Sequence, residues 1–189
     1  MDRLKIILPI LFLIIAGFGA YYFVIPWISS QPVRQIEKKT TTNIPEGEKI
    51  KRTLYFCLGD RLVSEEREII LKKDDFATQV KDVLRELIKG PVNDLRLTPL
   101  IPEETKIKSI FLDNNGICYL NFSRDIQEKF PGGTWTELLS LYSIANTVIE
   151  NFPEIRGVQI LVEGYSIETL TGHIDARYPF QRREDLVGQ

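Results

Sequence analysis

Residues 106–122 read KIKSIFLDNNGICYLNF. Two apolar-rich runs, Lys106–Leu112 and Ile117–Phe122, flank Asp113-Asn114-Asn115-Gly116, where Asn and Gly accept the positive φ that tight turns require. The stretch predicts an antiparallel hairpin, and helical patterns bound it on both sides. Upstream, Asp74 or Asp75 caps a helix whose apolar positions Phe76, Val80, Val83, Leu84, Leu87 and Ile88 recur at three- and four-residue steps. Gly90-Pro91 ends it, because Pro cannot continue the hydrogen-bond ladder. Downstream, Ser123 caps a short helical turn that stops before Pro131. Thr134 and Glu137 then have capping-box spacing and open a longer helix. Its stripe of Leu138, Leu141, Tyr142, Ala145, Val148, Ile149 and Phe152 is closed by Pro153.

The outer segments complete the pattern. Leu54–Leu58 alternates, with Leu54, Phe56 and Leu58 on one face and Tyr55 and Cys57 on the other. Gly59-Asp60 offers a turn and Glu66–Leu71 a second strand, while Gly157–Val162 and Tyr165–Leu170 flank Glu163-Gly164 as a further hairpin. The expected fold is α+β: one mixed, largely antiparallel sheet with two main helices packed on it. Phe76, Val80, Leu84, Leu87, Leu138, Leu141, Ala145 and Val148 are expected to face the sheet.

The N-terminal region has a different character. Ile6–Ile28 carries no charge and is mostly apolar. As a helix it would be about 34 Å long, enough to cross a hydrocarbon core of roughly 30 Å. Tyr21, Tyr22 and Trp27 gather at one end, as interfacial aromatics do. Phe18 spoils the best cleavage site, which would end at Ala20, so an uncleaved anchor is expected. No Cys closely follows the span to be acylated. Charges on the two sides do not fix the orientation, and long domains translocate largely regardless of their own charges. The expected organisation is a cytoplasmic tail and transmembrane anchor over 1–28, a flexible linker over 29–52, a folded domain over 53–185 and a tail over 186–189. The expected location is a bacterial cytoplasmic membrane, crossed once, with the C-terminal domain outside.

Composition narrows the chemistry. The 189 residues carry 24 Lys+Arg against 26 Asp+Glu, so the basic surplus that non-specific nucleic-acid binding needs is missing. Two Cys and one His cannot build a four-ligand Cys/His zinc site. Any Ser/His/Asp hydrolase would have to recruit His173, with Asp175 and Ser123 as conceivable partners, yet the chain has no Gly-x-Ser-x-Gly elbow. Glu65-Glu66 and Asp74-Asp75 are expected to be solvated or helix-starting carboxylates. Gly132-Gly133 lacks a phosphate-loop lysine and is expected only as a flexible helix start. Tyr119, Phe122, Trp135 and Tyr142 lie at strand and helix periods and are expected in the core. Cys57 and Cys118 are expected as separate buried residues without a bridge. No residue is assigned a catalytic, cofactor-binding or metal-binding role, and the chain is not expected to be an enzyme.

An ordered set of fragments resembles the GerMN, or sporulation and spore germination, domain of bacterial envelope proteins. It runs from Leu54-Tyr55-Phe56 through Gly90-Pro91, Ile101-Pro102-Glu103-Glu104-Thr105, and Asn114-Asn115-Gly116 with Leu120-Asn121-Phe122-Ser123. It continues through Gly132-Gly133, Thr147, Phe152-Pro153, Val158 to Gly164, and Gly172-His173-Ile174-Asp175. The resemblance implies an extracytoplasmic, usually membrane-tethered domain without catalytic residues, similar to ring-building domains that self-associate. Together with the apolar span and the lack of a catalytic set, it points to a non-catalytic scaffolding module whose expected partners are the membrane through residues 6–28, envelope proteins and further copies of itself. The alternative is a module that binds peptidoglycan or positions a cell-wall hydrolase such as an amidase.

Overall fold

The computed structural model describes residues 48–71 and 75–188. The anchor expected at residues 6–28 and most of the linker lie outside the described residues. Among the described residues no helix is long and apolar enough to cross a membrane.

Strand β1 (Glu48–Leu58) turns at Gly59-Asp60 into β2 (Arg61–Leu71), and the two pair antiparallel along their whole length. Residues 48–52, expected in the linker, therefore belong to β1, and β2 starts five residues before the expected Glu66. Helix α1 (Phe76–Ile88) follows, with Asp75 extended at its cap and accepting the Thr78 N–H at 2.9 Å. Strands β3 (Ile107–Leu112) and β4 (Ile117–Phe122) form the hairpin read from residues 106–122. Gly116 adopts φ +83° in its turn, and a Cβ there would lie 3.0 Å from the Glu154 carbonyl oxygen. Short helix α2 (Asp125–Glu128) and long helix α3 (Thr134–Asn151) lead to β5 (Gly157–Val162), which runs parallel to β4. Glu163 and Gly164, at φ 53° and 86°, turn the chain into β6, which is only Tyr165–Ser166 instead of the expected 165–170. The expected tail is also structured: Leu186 is buried and the Gly188 N–H bonds the Leu62 carbonyl.

The α+β class with a mixed sheet and two main helices is observed, but the single sheet is corrected to two. β1 and β2 make a two-stranded sheet, and β3-β4-β5-β6 make a four-stranded sheet in that order. The reason lies at the free edge of β1. There the Thr53 N–H and C=O bond the Asn151 amide at 3.0 and 2.7 Å. The Tyr55 N–H donates to the Thr147 hydroxyl at 3.1 Å, and the Tyr55 carbonyl accepts from the Ser143 hydroxyl at 2.6 Å. Cys57 exchanges main-chain bonds with Thr98. Ser143, Thr147 and Asn151 recur every four residues on one face of α3, so a helix occupies the place of a neighbouring strand. Replacing Thr147 by Val keeps the shape but leaves the buried Tyr55 N–H without an acceptor. Urea unfolding is expected to show a loss of about 1–3 kcal/mol; an unchanged midpoint would mean that the edge is not held by these side chains.

The main core joins Leu54, Phe56, Ile69 and Leu71 of the first hairpin to Val80, Val83, Leu84 and Leu87 of α1, Leu141, Ile144, Ala145 and Val148 of α3, and the inner face of the larger sheet. A smaller cluster of Tyr55, Cys57, Leu62, Leu100, Leu139 and Leu186 covers the other face of β1. Of the eight residues expected to face a sheet, six are fully buried, while Phe76 and Leu138 sit partly exposed at the margins of the clusters. Cys57 and Cys118 are both buried free thiols, in different sheets, and burial pushes the Cys118 thiol up to about 12.

Candidate functional site

The densest polar constellation in the described residues centres on Glu137, in the first turn of α3. The expected capping box does not form: Gly133 occupies the cap, and the Glu137 carboxylate turns away from it. That side chain is fully buried. It accepts the N–H groups of Leu170 and Thr171 at 2.9 and 3.0 Å, and those of His173 and Ile174 at 3.1 and 3.4 Å. The Thr171 hydroxyl donates to it at 2.9 Å, and His173 Nδ1 lies 3.0 Å away. Segment 170–174 thus folds around one carboxylate as a backbone nest. Burial alone would raise the Glu137 pKa, but the Thr171 N–H and hydroxyl, the His173 ring and the Ile174 N–H outweigh it and hold the pKa below the ordinary glutamate value.

A second buried carboxylate, Glu65 on β2, has the same character. It pairs with Arg67 and accepts the N–H groups of Val92 and Asn93 at 3.1 and 3.0 Å, while Arg67 reaches the Gly90 carbonyl at 2.9 Å. Burial acts to raise its pKa, and these bonds lower it overall. Glu65 is therefore a buried clamp on the loop that leaves α1, contrary to its expected solvated role. Glu66 is exposed, Asp75 caps α1, and Asp74 lies outside the described residues.

The conceivable triad does not assemble. His173 bonds Glu137, Asp175 pairs with Arg177, and the Ser123 hydroxyl donates to Asp125 at 2.7 Å. Gly132 and Gly133, at φ 84° and 100°, set the start of α3. The four expected core aromatics separate: Phe122 is fully buried, Tyr119 and Tyr142 are half-buried, and Trp135 is exposed with its indole N–H on the Asp60 carbonyl at 3.1 Å. Among the described residues no three His, Cys, Asp or Glu side chains are grouped to hold a metal ion. Sequence reasoning missed Glu137 because its partners lie 33–37 residues downstream, and Thr134-x-x-Glu137 matched a local motif instead.

Two helices laid on a mixed sheet, with the buried carboxylates spent on main-chain donors, define the class: an α+β module whose polar interior is structural. The family model for sporulation and spore germination, Germane, matches residues 53–168. The chain belongs to this family. The tandem GerMN domains of the sporulation protein GerM from Bacillus subtilis are similar in fold, with TM-score 0.58 at 17% identity, covering 73% of this chain and 48% of that one. The first GerMN domain of the same protein gives 0.57 at 18%, covering 72% and 99%. A chain described as "Putative Lipoprotein" from Clostridium perfringens gives 0.52 at 25%, covering 74% and 93%. No curated protein matches the sequence.

Proposed function

We propose that the protein is a non-catalytic contact module, held at a bacterial membrane by residues 6–28 with its folded domain on the extracytoplasmic side. The observation that carries this reading is the Glu137 constellation. It is the part of the fold best equipped for chemistry, and its carboxylate is enclosed by the 170–174 backbone and holds that segment in place. Family membership supports the same reading, since the matching family model is that of sporulation and spore germination and two similar solved structures are domains of a sporulation protein. The apolar span at 6–28 supports the tether, as does the similarity to a chain described as a lipoprotein. Tethering raises effective concentration, so weak contacts between membrane-held copies, or with other envelope proteins, suffice for assembly.

Alkaline phosphatase fused after Gln189 should be active in intact cells, and the protein should stay with membranes washed in high salt. Activity of a cytoplasmic reporter alone would overturn the proposed orientation. Amine crosslinking of the full-length protein in membranes should capture a defined protein neighbour. Retention on purified peptidoglycan without any protein neighbour would transfer the assignment to glycan binding.

A further inference from the structure

The fold covers its strand edges unevenly. β1 is sealed by α3 and Thr98, as described above. β2 is bonded at Leu62 by the Gly188 N–H and at Glu66 by the Asn93 amide, and the exposed Glu66 and Glu68 discourage pairing along the rest of it. β5 is covered by β6 and by an exchange of main-chain bonds between Val158 and Phe180. β3 is different. The bond from the Asp113 N–H to the Ile117 carbonyl, with the register Phe111 opposite Tyr119 and Ile110 opposite Leu120, turns the N–H and C=O of Ile110 and Leu112 away from β4. Among the described residues no hydrogen bond engages them. Between them Phe111 is 64% exposed, lying against Tyr119 with ring centroids 6.2 Å apart. The half of the edge near Lys108 is protected by a register shift and by charge, whereas Ile110-Phe111-Leu112 is apolar and unguarded.

We infer that this segment is the contact between two copies of the chain, paired antiparallel about a two-fold axis through Phe111. The inference rests on the contact-module reading and identifies its surface. In this register Ile110 of each copy exchanges main-chain bonds with Leu112 of the other, using the two residues whose groups point outward. Phe111 meets its own counterpart at the close, non-hydrogen-bonded position, where Cα atoms approach to about 4.5 Å. The exposed ring thereby gains an aromatic cross-strand neighbour. Charge agrees with the register. The Asp113 turn of one copy falls beside Ser109 and Lys108 of the other, at a groove of about 320 Å³ that Lys81, Thr78 and Asp75 also line. Among the described residues Lys81 makes no ion pair, and the Asp113 carboxylate of the second copy, which also accepts the Asn115 and Ile117 N–H groups of its own turn, brings a negative charge to that groove. An isologous contact of this kind closes on itself, giving a dimer.

The test is disulfide trapping of the full-length protein in membranes. Phe111→Cys should give a homodimer on non-reducing gels after mild oxidation. Tyr165→Cys, exposed at the other side of the sheet, should not. Phe111→Asp, at an exposed position, should leave the thermal transition in place while amine-crosslinked dimer falls about tenfold or more. Ile110→Pro removes an outward N–H that serves no bond within the copy and should cut the dimer likewise, with a lowered thermal transition because the Ile110 side chain also packs on the main core. Homo-oligomers of wild type that Phe111→Cys does not trap and Ile110→Pro does not weaken would overturn the β3 contact and leave the contact-module reading standing. Absence of any homo-oligomer, with another envelope protein captured instead, would overturn the pairing and assign the module to that partner.

Discussion

Replacing Leu141 by Asp is expected to unfold the domain outright. Leu141 is fully buried in the main core, on the face of α3 that meets the other core elements. The change removes about 2–3 kcal/mol of apolar burial and forces in a carboxylate whose desolvation costs several kcal/mol more. Native domains have roughly 5–15 kcal/mol in total. Loss of the cooperative thermal transition, with near-ultraviolet circular dichroism collapsed, is the expected result. Leu95→Asp serves as the control, because Leu95 is 96% exposed and its substitution should leave the transition where it was. A folded Leu141→Asp protein would mean that α3 does not present this face to the core.

Glu137→Ala should have the second-largest effect, by a different route. It deletes the acceptor shared by Leu170, Thr171, His173 and Ile174, of which Leu170 is buried and Thr171 and Ile174 are half-buried. At about 1–3 kcal/mol for each buried donor left unpaired, and less for those that reach water, the loss should be about 3 kcal/mol. Amide exchange should rise most over 168–176. Acidity provides an independent check. The folded-state pKa of Glu137 lies below the unfolded value of about 4.3. The stability it contributes is therefore fully present above that value and is lost as pH falls through the lowered folded pKa. Glu137→Gln should be less stable than wild type at pH 7, and the difference should shrink in acid below the unfolded value. A gap that stays constant down to pH 2 would remove the ionised carboxylate from the account.

Which features were legible in the sequence follows from how local their causes are. The β3–β4 hairpin rests on the Asp113–Gly116 turn and on two adjacent apolar runs, and β4 and β5 occupy the expected residues. α1 was legible for the same reason, since Asp75 and Gly90 act on their own neighbours. The division into two sheets was not. Ser143, Thr147 and Asn151 would ordinarily mark the wet face of a helix, and nothing nearby in sequence shows that they bond a strand more than 80 residues upstream. Glu65 and Glu137 escaped for the same reason. A buried carboxylate is recognised by the backbone that wraps it, and here that backbone comes from distant loops.

The helix that substitutes for a strand against β1 also bears on the order of synthesis. Thr53 and Tyr55 leave the ribosome roughly ninety residues before Thr147 and Asn151, their eventual partners. Meanwhile the first hairpin is a ribbon with Leu54, Tyr55, Phe56 and Cys57 bare on both faces and with its inner edge unsatisfied, a state prone to aggregation. Closing so long a loop makes folding slow compared with a local-contact protein of equal stability. A nascent chain stalled before Thr134 should therefore depend on holding factors, and release from that dependence should coincide with the emergence of α3.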